Sequence, residues 1–315
     1  MRYRKFGESD INASELTIGT WAIGGVNWGP ITRKDSIDAI HAMLDCGVNM
    51  IDTAPAYNFG ESERVVGEAI KGRRHNLYIV TKTAVYNSKE QPFVKDGRKE
   101  CIMRLCEQSL TNLGTDYIDL MIIHWPDNEH NAPIEETMDA LTLLKSQGKI
   151  RHVGLSNFDK TLIEEALKYG EILALQPEYS MVNRNSETLM TWTHSRGIAN
   201  MTYGSLGGGI LTGAIRELPN FEPDDMRMTF YDYFKEPKFS KVMKLLETLD
   251  DIANNNNATV AQVAINWNAQ KEFVNTTICG VRNRKEALDN CAGFGWNLTS
   301  DEINSINEAL DMLLI

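Results

Sequence analysis

The sequence predicts an α/β fold in which eight parallel strands close into a barrel, and three observations carry that prediction. Short apolar runs alternate with amphipathic stretches from residue 16 to residue 291. Several runs are apolar on successive residues, as strands buried on both faces require. Three of them deliver polar side chains at or beside their ends: Asp52 with Tyr57 shortly after it, Lys82 in IVTK, and His124 in MIIHWP. Strand tips of this kind meet when the strands are parallel and the active site lies at their C-terminal ends. The expected fold class is therefore a (β/α)8 TIM barrel, with an N-terminal β-hairpin and extra helices.

The elements follow in order. The opening YRKF–GESD–INAS reads as a hairpin. The expected barrel strands are 16–20, 48–52, 77–81, 118–123, 150–155, 172–176, 198–203 and 276–280. Between them, residues 35–46, 61–71, 98–113, 134–147, 159–169, 185–196, 239–269 and 284–291 are amphipathic and read as helical, with NNNN at 254–257 as a polar turn between two helices. Right-handed crossovers join such units. Segment 214–238, rich in Pro, Asp and aromatic residues, breaks the rhythm after the seventh strand. It reads as a long loop on the active-site face, a lid rather than core. The run SDEINSINEALDMLL opens with a helix-start signal and forms the last helix. The 315 residues read as one domain, since a barrel of roughly 250 residues accommodates insertions.

Composition narrows the function. Hydrophobic residues make up 42% of the chain, enough for a large core. A net charge of −11 argues against phosphate-backbone binding, so no nucleic acid partner is expected. No signal peptide opens the sequence, and no apolar run approaches the ~20 residues of a membrane helix, so a cytoplasmic protein without a membrane partner is expected. Five scattered cysteines without a CxxC pair and six histidines without HExxH signal neither a disulfide framework nor a metal site.

The string IDTAPAYNFGESERVVGEAI at 51–70 carries the chemistry. Asp52, Tyr57, Lys82 and His124 together can give a proton to a carbonyl oxygen while another group delivers hydride. Negative charge develops on that oxygen, so a donor must stand beside it. Tyr57 is the candidate general acid. An ammonium at Lys82 favours the phenolate and is expected to lower the Tyr57 pKa from about 10. Asp52 holds Lys82 charged, and His124 positions the carbonyl. Taken singly, each residue has a plainer reading: Tyr57 a rim residue, His124 a core histidine, Asp52 a cap. Lys82 alone could equally serve a Schiff-base aldolase.

The motifs IDTAPAY-FGESE, VTKT, IHWP and GLSNF, in this order, resemble the aldo-keto reductase family, in its bacterial and plant branch with a short C-terminus. The resemblance runs from GTWAIGG to GVRNRKEALDN. It implies the barrel, NADPH-dependent reduction of aldehydes or ketones, and a tetrad of Asp52, Tyr57, Lys82 and His124. A non-enzymatic, redox-sensing cofactor-binding subunit is the alternative within the same family. Neither a Rossmann GxGxxG nor a Walker A motif occurs, so cofactor binding rests on other loops. By resemblance, Ser156, Asn157 and Gln176 hold the nicotinamide carboxamide and Tyr203 stacks on its ring. Thr20, Trp21 and Asp52 join the same cofactor face. In GSLGGG, Gly204, Ser205, Leu206, Gly207 and Gly208 offer small residues and backbone N–H groups to pyrophosphate. The family has Ser-Pro where this chain has Gly204-Ser205, which implies a looser loop. Gly280, Val281 and Arg282 precede a helix whose N-terminus favours phosphate. Arg282 matches the reader of the adenosine 2′-phosphate, with Arg284 and Lys285 nearby, and Asn290 matches an adenine contact. Glu286 stands where the family has Gln or Arg; a carboxylate there repels a 2′-phosphate or accepts from a ribose hydroxyl, so NADH is a second possibility. Trp21, Trp28, Tyr57, His124 and Trp125 are the expected substrate-pocket residues. The substrate's identity and the oligomeric state are not written in the sequence.

Overall fold

The computed structural model describes residues 1–23, 31–221, 225, 227 and 230–313. Strands β1 (Tyr3–Lys5) and β2 (Asn12–Ser14) pair antiparallel as the opening hairpin. The next strands are β3 (Leu16–Gly19), β4 (Met50–Asp52) and β5 (Tyr78–Thr83). After a small hairpin of β6 (Val85–Tyr86) and β7 (Val94–Lys95) come β8 (Ile118–Ile123), β9 (Ile150–Ser156), β10 (Ala174–Gln176), β11 (Ala199–Thr202) and β12 (Thr276–Gly280). Eight of these, β3, β4, β5 and β8 to β12, close into a parallel barrel in chain order, with β12 returning to β3.

All eight expected runs are barrel strands. β5 and β9 extend past their expected ends, because the ladder continues through Lys82, opposite Ile122, and through Ser156, opposite Gln176. The apolar pattern stops before the hydrogen bonding does. The β6–β7 hairpin has no counterpart in the sequence reading. Two residues per strand are too short to display a period, and each strand is entered through a residue at positive φ, Ala84 at +65° and Phe93 at +55°.

Helices α1 (Arg33–Asp45), α2 (Glu61–Ala69), α3 (Lys99–Leu113), α4 (Ile134–Ser146), α5 (Lys160–Ala166) and α6 (Glu187–His194) follow successive strands. After β11 come α7 (Lys238–Asn255) and α8 (Val260–Ala269), with the asparagine run at their joint. Helices α9 (Arg284–Ala292) and α10 (Ser300–Leu313) complete the described chain. Among the described residues, no helix is long and apolar enough to cross a membrane.

Inside the barrel, Met50, Val80, Leu120, Ile122, Met201 and Ile278 pack against Phe6, Ile11 and Ala13 of the opening hairpin, which plugs the N-terminal end. Glu15, buried, ties the plug down: it accepts from Arg2 Nε and Arg4 Nε, each at 2.7 Å. With one end stoppered, chemistry is confined to the other.

Segment 214–238 departs from the lid expectation at its C-terminal part. Tyr231, Tyr233 and Phe234 are buried members of the core cluster formed with α7, α8 and α10. Tyr231 lies against Gly208, where a Cβ would come within 2.7 Å of its ring. These aromatics are core because the glycine run gives them a flat surface to pack on.

Candidate active site

Four side chains meet at the C-terminal end of the barrel. Asp52 is the last residue of β4, and Tyr57 begins a short turn that leads into α2. Lys82 sits within β5, and the backbone N–H of His124, just past β8, donates to Thr83 O at 3.0 Å. The Lys82 ammonium donates to Asp52 Oδ2 at 2.7 Å, Asp52 Oδ1 at 2.9 Å, Thr53 O at 3.0 Å and the Tyr57 hydroxyl at 3.0 Å. Its donors are fully committed, so a Schiff-base role for Lys82 finds no available amine. The Tyr57 and His124 rings stand edge to face, 5.9 Å between centroids.

Burial sets the protonation states. It pulls Lys82 below the usual amine range, against the pull of Asp52. Burial, and next the Lys82 charge, hold His124 well below the usual imidazole range, so its ring is neutral. Burial, and next the Asp52 carboxylate, push the Tyr57 phenol well above its ordinary value. This corrects the expectation of a lowered tyrosine: desolvation of a phenolate decides the sign, and the Asp52 carboxylate pushes the same way. Tyr57 therefore carries its proton, and the lysine matters most once that proton has left. His124 Nδ1 is buried without a hydrogen-bond partner among the described residues.

The residues expected at the nicotinamide adjoin this cluster. Gln176 Nε2 donates to Asp52 Oδ1 at 2.7 Å, crossing the barrel from β10 to β4. Ser156 Oγ donates to Gln176 O at 2.8 Å. Asn157, at φ +62°, donates through Nδ2 to His124 O at 2.9 Å and accepts from the Tyr203 hydroxyl at 2.9 Å. Thr20 Oγ1 donates to Asp52 O at 2.9 Å. One hydrogen-bonded network thus joins the four central groups to Thr20, Ser156, Asn157, Gln176 and Tyr203.

The sequence matches the Aldo/keto reductase family over residues 15–311. The chain belongs to that family. It is 37% identical over 317 residues to aldo-keto reductase YhdN of Bacillus subtilis, covering 99% of this chain and 94% of the relative. It is 33% identical over 327 residues to the NADH-specific methylglyoxal reductase of Escherichia coli, covering 99% of both. The solved glycerol dehydrogenase AKR11B4 of Gluconobacter oxydans superposes with a TM-score of 0.90 at 30% identity, over 99% of this chain and 96% of that one. As an aldo-keto reductase, the protein is an NAD(P)H-dependent oxidoreductase acting on carbonyl or CH–OH groups.

The outer parts of this reductase site divide between anchored and open positions. Ser205 Oγ donates to Ile278 O at 2.7 Å, so the loop expected to be looser is pinned at its start. Gly204, Gly207, Gly208 and Gly209 all have positive φ, and a Cβ at Gly209 or Gly280 would touch nothing within 4 Å. Leu206 packs between two core clusters, and Val281 is buried beside α9. Asn283 caps α9, and Arg282 is held by Glu286: Nη2 to Oε1 at 2.8 Å, Nε to Oε1 at 3.1 Å and backbone N to Oε2 at 3.0 Å. Asn290 Nδ2 donates to Gly280 O at 3.5 Å. No ion pair of Arg284 or Lys285 is found among the described residues.

Among the pocket residues, Trp21 lies 6.2 Å from the Tyr57 ring and 5.8 Å from Phe230, and Trp125 is half-buried under Lys95. Trp28 falls outside the described residues. One group, Asp96, Asp127 and His130, brings potential metal donors within 4.8 Å of one another. Their atoms already serve Arg98, backbone N–H groups and the Lys95 carbonyl. The sequence reading missed Thr53, Asn87, Lys95 and Phe230. Thr53 acts through its main chain and leaves no sequence signal, whereas the polar SKEQP stretch at 88–92 marks the turn that presents Asn87 and Lys95.

Proposed function

We propose that this single-domain enzyme reduces an aldehyde or ketone to its alcohol, reversibly, with Tyr57 as proton donor. The observation that carries this reading is the Tyr57 hydroxyl held 3.0 Å from a buried ammonium that is itself paired to Asp52. A bound nicotinamide cofactor supplies the hydride. Ser156, Asn157, Gln176 and Tyr203 are the residues that would hold its nicotinamide end. Thr20, Trp21, the 204–209 run with its open Gly209, Gly280, Val281, Arg282 and Asn290 would take the remainder. The room at Gly209 and Gly280 fits such a group.

The chain's own part is proton control. His124, neutral and edge to face with Tyr57, donates a hydrogen bond to the carbonyl oxygen and so polarises it. Tyr57 arrives protonated, because burial disfavours its phenolate. When its proton moves to the oxygen, the phenolate left behind lies beside the Lys82 ammonium. Asp52 and Gln176 keep that ammonium in place.

NADPH is the first choice of cofactor, with NADH also accepted. Arg282 supports the former, since a guanidinium is suited to a phosphate. Glu286 limits it, because its carboxylate already occupies that guanidinium. The reductase from E. coli named as NADH-specific supports the same limit.

The test is a carbonyl panel with NADPH and NADH, followed at the nicotinamide absorbance in wild type and Tyr57→Phe. Wild type is expected to consume cofactor with at least one aldehyde or ketone. The variant is expected to bind cofactor and fold normally while kcat falls at least ~10²-fold. A variant keeping more than a tenth of wild-type kcat, with chemistry rate-limiting, removes Tyr57 as donor. Cofactor that survives gel filtration yet is reoxidised by no carbonyl favours a redox-sensing subunit instead.

A further inference from the structure

The β6–β7 hairpin is stitched to both loops that carry the central groups. Asn87 Nδ2 donates to Ala56 O at 2.7 Å, one residue before Tyr57, and Asn87 Oδ1 accepts from Phe93 N at 3.0 Å. At the other end, Gly97 N donates to Asp127 Oδ2 at 3.0 Å, three residues after His124. Between these anchors, Lys95 places its ammonium 5.1 Å from the centroid of Trp125, the residue next to His124.

The neighbouring acids do not claim this ammonium. Both Asp96 oxygens are taken by the Arg98 guanidinium, at 2.9 and 2.7 Å. Asp127 accepts four backbone N–H groups, from Gly97, Glu129, His130 and Ala132. Glu129 accepts from Gln91 at 3.3 Å. Lys95 forms no ion pair among the described residues, and its only close side-chain partner there is an aromatic face, which attracts a cation but takes none of its N–H bonds in the way a carboxylate would. A half-buried lysine with uncommitted donors, on the aromatic face next to His124, offers a charged donor to an anionic group.

We propose that Lys95 is a specificity-determining residue that selects carbonyl substrates bearing a carboxylate, with Trp125 as the wall against which their apolar part lies. The proposal rests on the reductase reading above. The aldehyde of such a substrate faces Tyr57 and His124 while its carboxylate accepts from the Lys95 ammonium.

Two probes of one shape separate charge from fit: 4-carboxybenzaldehyde and its methyl ester, each with saturating NADPH and then NADH. Wild type is expected to have the higher kcat/KM for the acid, and its KM for the acid, not the ester, rises with ionic strength. Lys95→Met keeps the stem on Trp125 and removes the charge. It is expected to raise KM for the acid about 10-fold, the scale of one partly screened charge-assisted contact, with kcat and the ester's KM within about twofold of wild type. Lys95→Arg is expected to retain most of the preference for the acid. Equal changes for acid and ester, or no salt dependence in wild type, overturn the proposal and leave the reductase reading standing. Turnover of neither aldehyde, in an enzyme that reduces no other carbonyl, removes both.

Discussion

Arg282 and Glu286 show how one side chain can hold another back. The guanidinium that would read a 2′-phosphate is engaged by a carboxylate four residues on, both partly exposed. Arg282→Ala is expected to weaken NADPH about 10–100-fold and NADH little, since a charge-assisted bond contributes roughly 1.5–3 kcal/mol. Glu286→Gln frees the guanidinium and is expected to tighten NADPH alone. Fluorescence titration of both variants with both cofactors checks this; equal weakening of NADH and NADPH in Arg282→Ala reassigns the arginine to pyrophosphate or adenine. His124 supplies a pH signature. Its folded pKa is lowered below the unfolded value of about 6.5, so only the unfolded chain gains a proton there as the solution is acidified. The stability it contributes is complete above about pH 6.5 and is lost as pH falls towards the folded pKa, with a slope of about 1.4 kcal/mol per pH unit. His152, half-buried and also lowered, adds to the same slope. Urea unfolding across pH 5–7 is expected to show a shallower acid loss in His124→Asn than in wild type, and equal slopes would contradict a buried neutral imidazole. The identities of the four central residues were legible in the sequence because Asp52, Lys82 and His124 stand at or beside strand ends and Tyr57 follows Asp52 closely. Their protonation was not: the sign for Tyr57 depends on how deeply it is buried and on the nearby Asp52 carboxylate, and spacing reveals neither.

At the scale of elements, the barrel strands were legible because burial on both faces leaves an unbroken apolar run. The small β6–β7 hairpin was not, since four strand residues hold no period and its anchors, Asn87 to Ala56 and Gly97 to Asp127, join segments distant in sequence. Segment 214–238 was half legible. Its composition marks it as irregular, yet Tyr231, Tyr233 and Phe234 are buried against glycines that only the folded chain brings near. The lid idea therefore divides. Bound cofactor is expected to slow hydrogen exchange in residues 214–221 and at Phe230, which packs on Trp21, while 231–234 are protected with or without it. Hydrogen-exchange mass spectrometry with and without NADPH checks both halves. Equal protection of 214–221 in the two states would show that cofactor does not draw the segment down.

At the scale of the molecule, the barrel has a stoppered end and a working end. Arg2 and Arg4 both grip Glu15, and they also donate to the Trp296, Lys271 and Val274 carbonyls, so the first residues clasp the last quarter of the chain. Glu15→Gln leaves two arginines facing a neutral amide. The expected cost is about 2–3 kcal/mol, below the usual 3–5 for a broken buried pair because both arginines are about a quarter exposed. Thermal unfolding is expected to show Tm lowered by several degrees, with kcat within about twofold at moderate temperature. A fall in kcat that matches the fall in Tm would mean that the two ends are coupled. The Gln176–Asp52 bond has a consequence for how the protein comes into being. All four central groups are synthesised by residue 124, within the first half of the polypeptide, but the amide that completes Asp52 comes about fifty residues later, from the opposite wall. A nascent half-barrel would hold Asp52 and Lys82 with one flank open to water, where such a pair loses most of its grip. The catalytic apparatus is thus translated early and assembled late, and it comes into register only when the final strands close the ring.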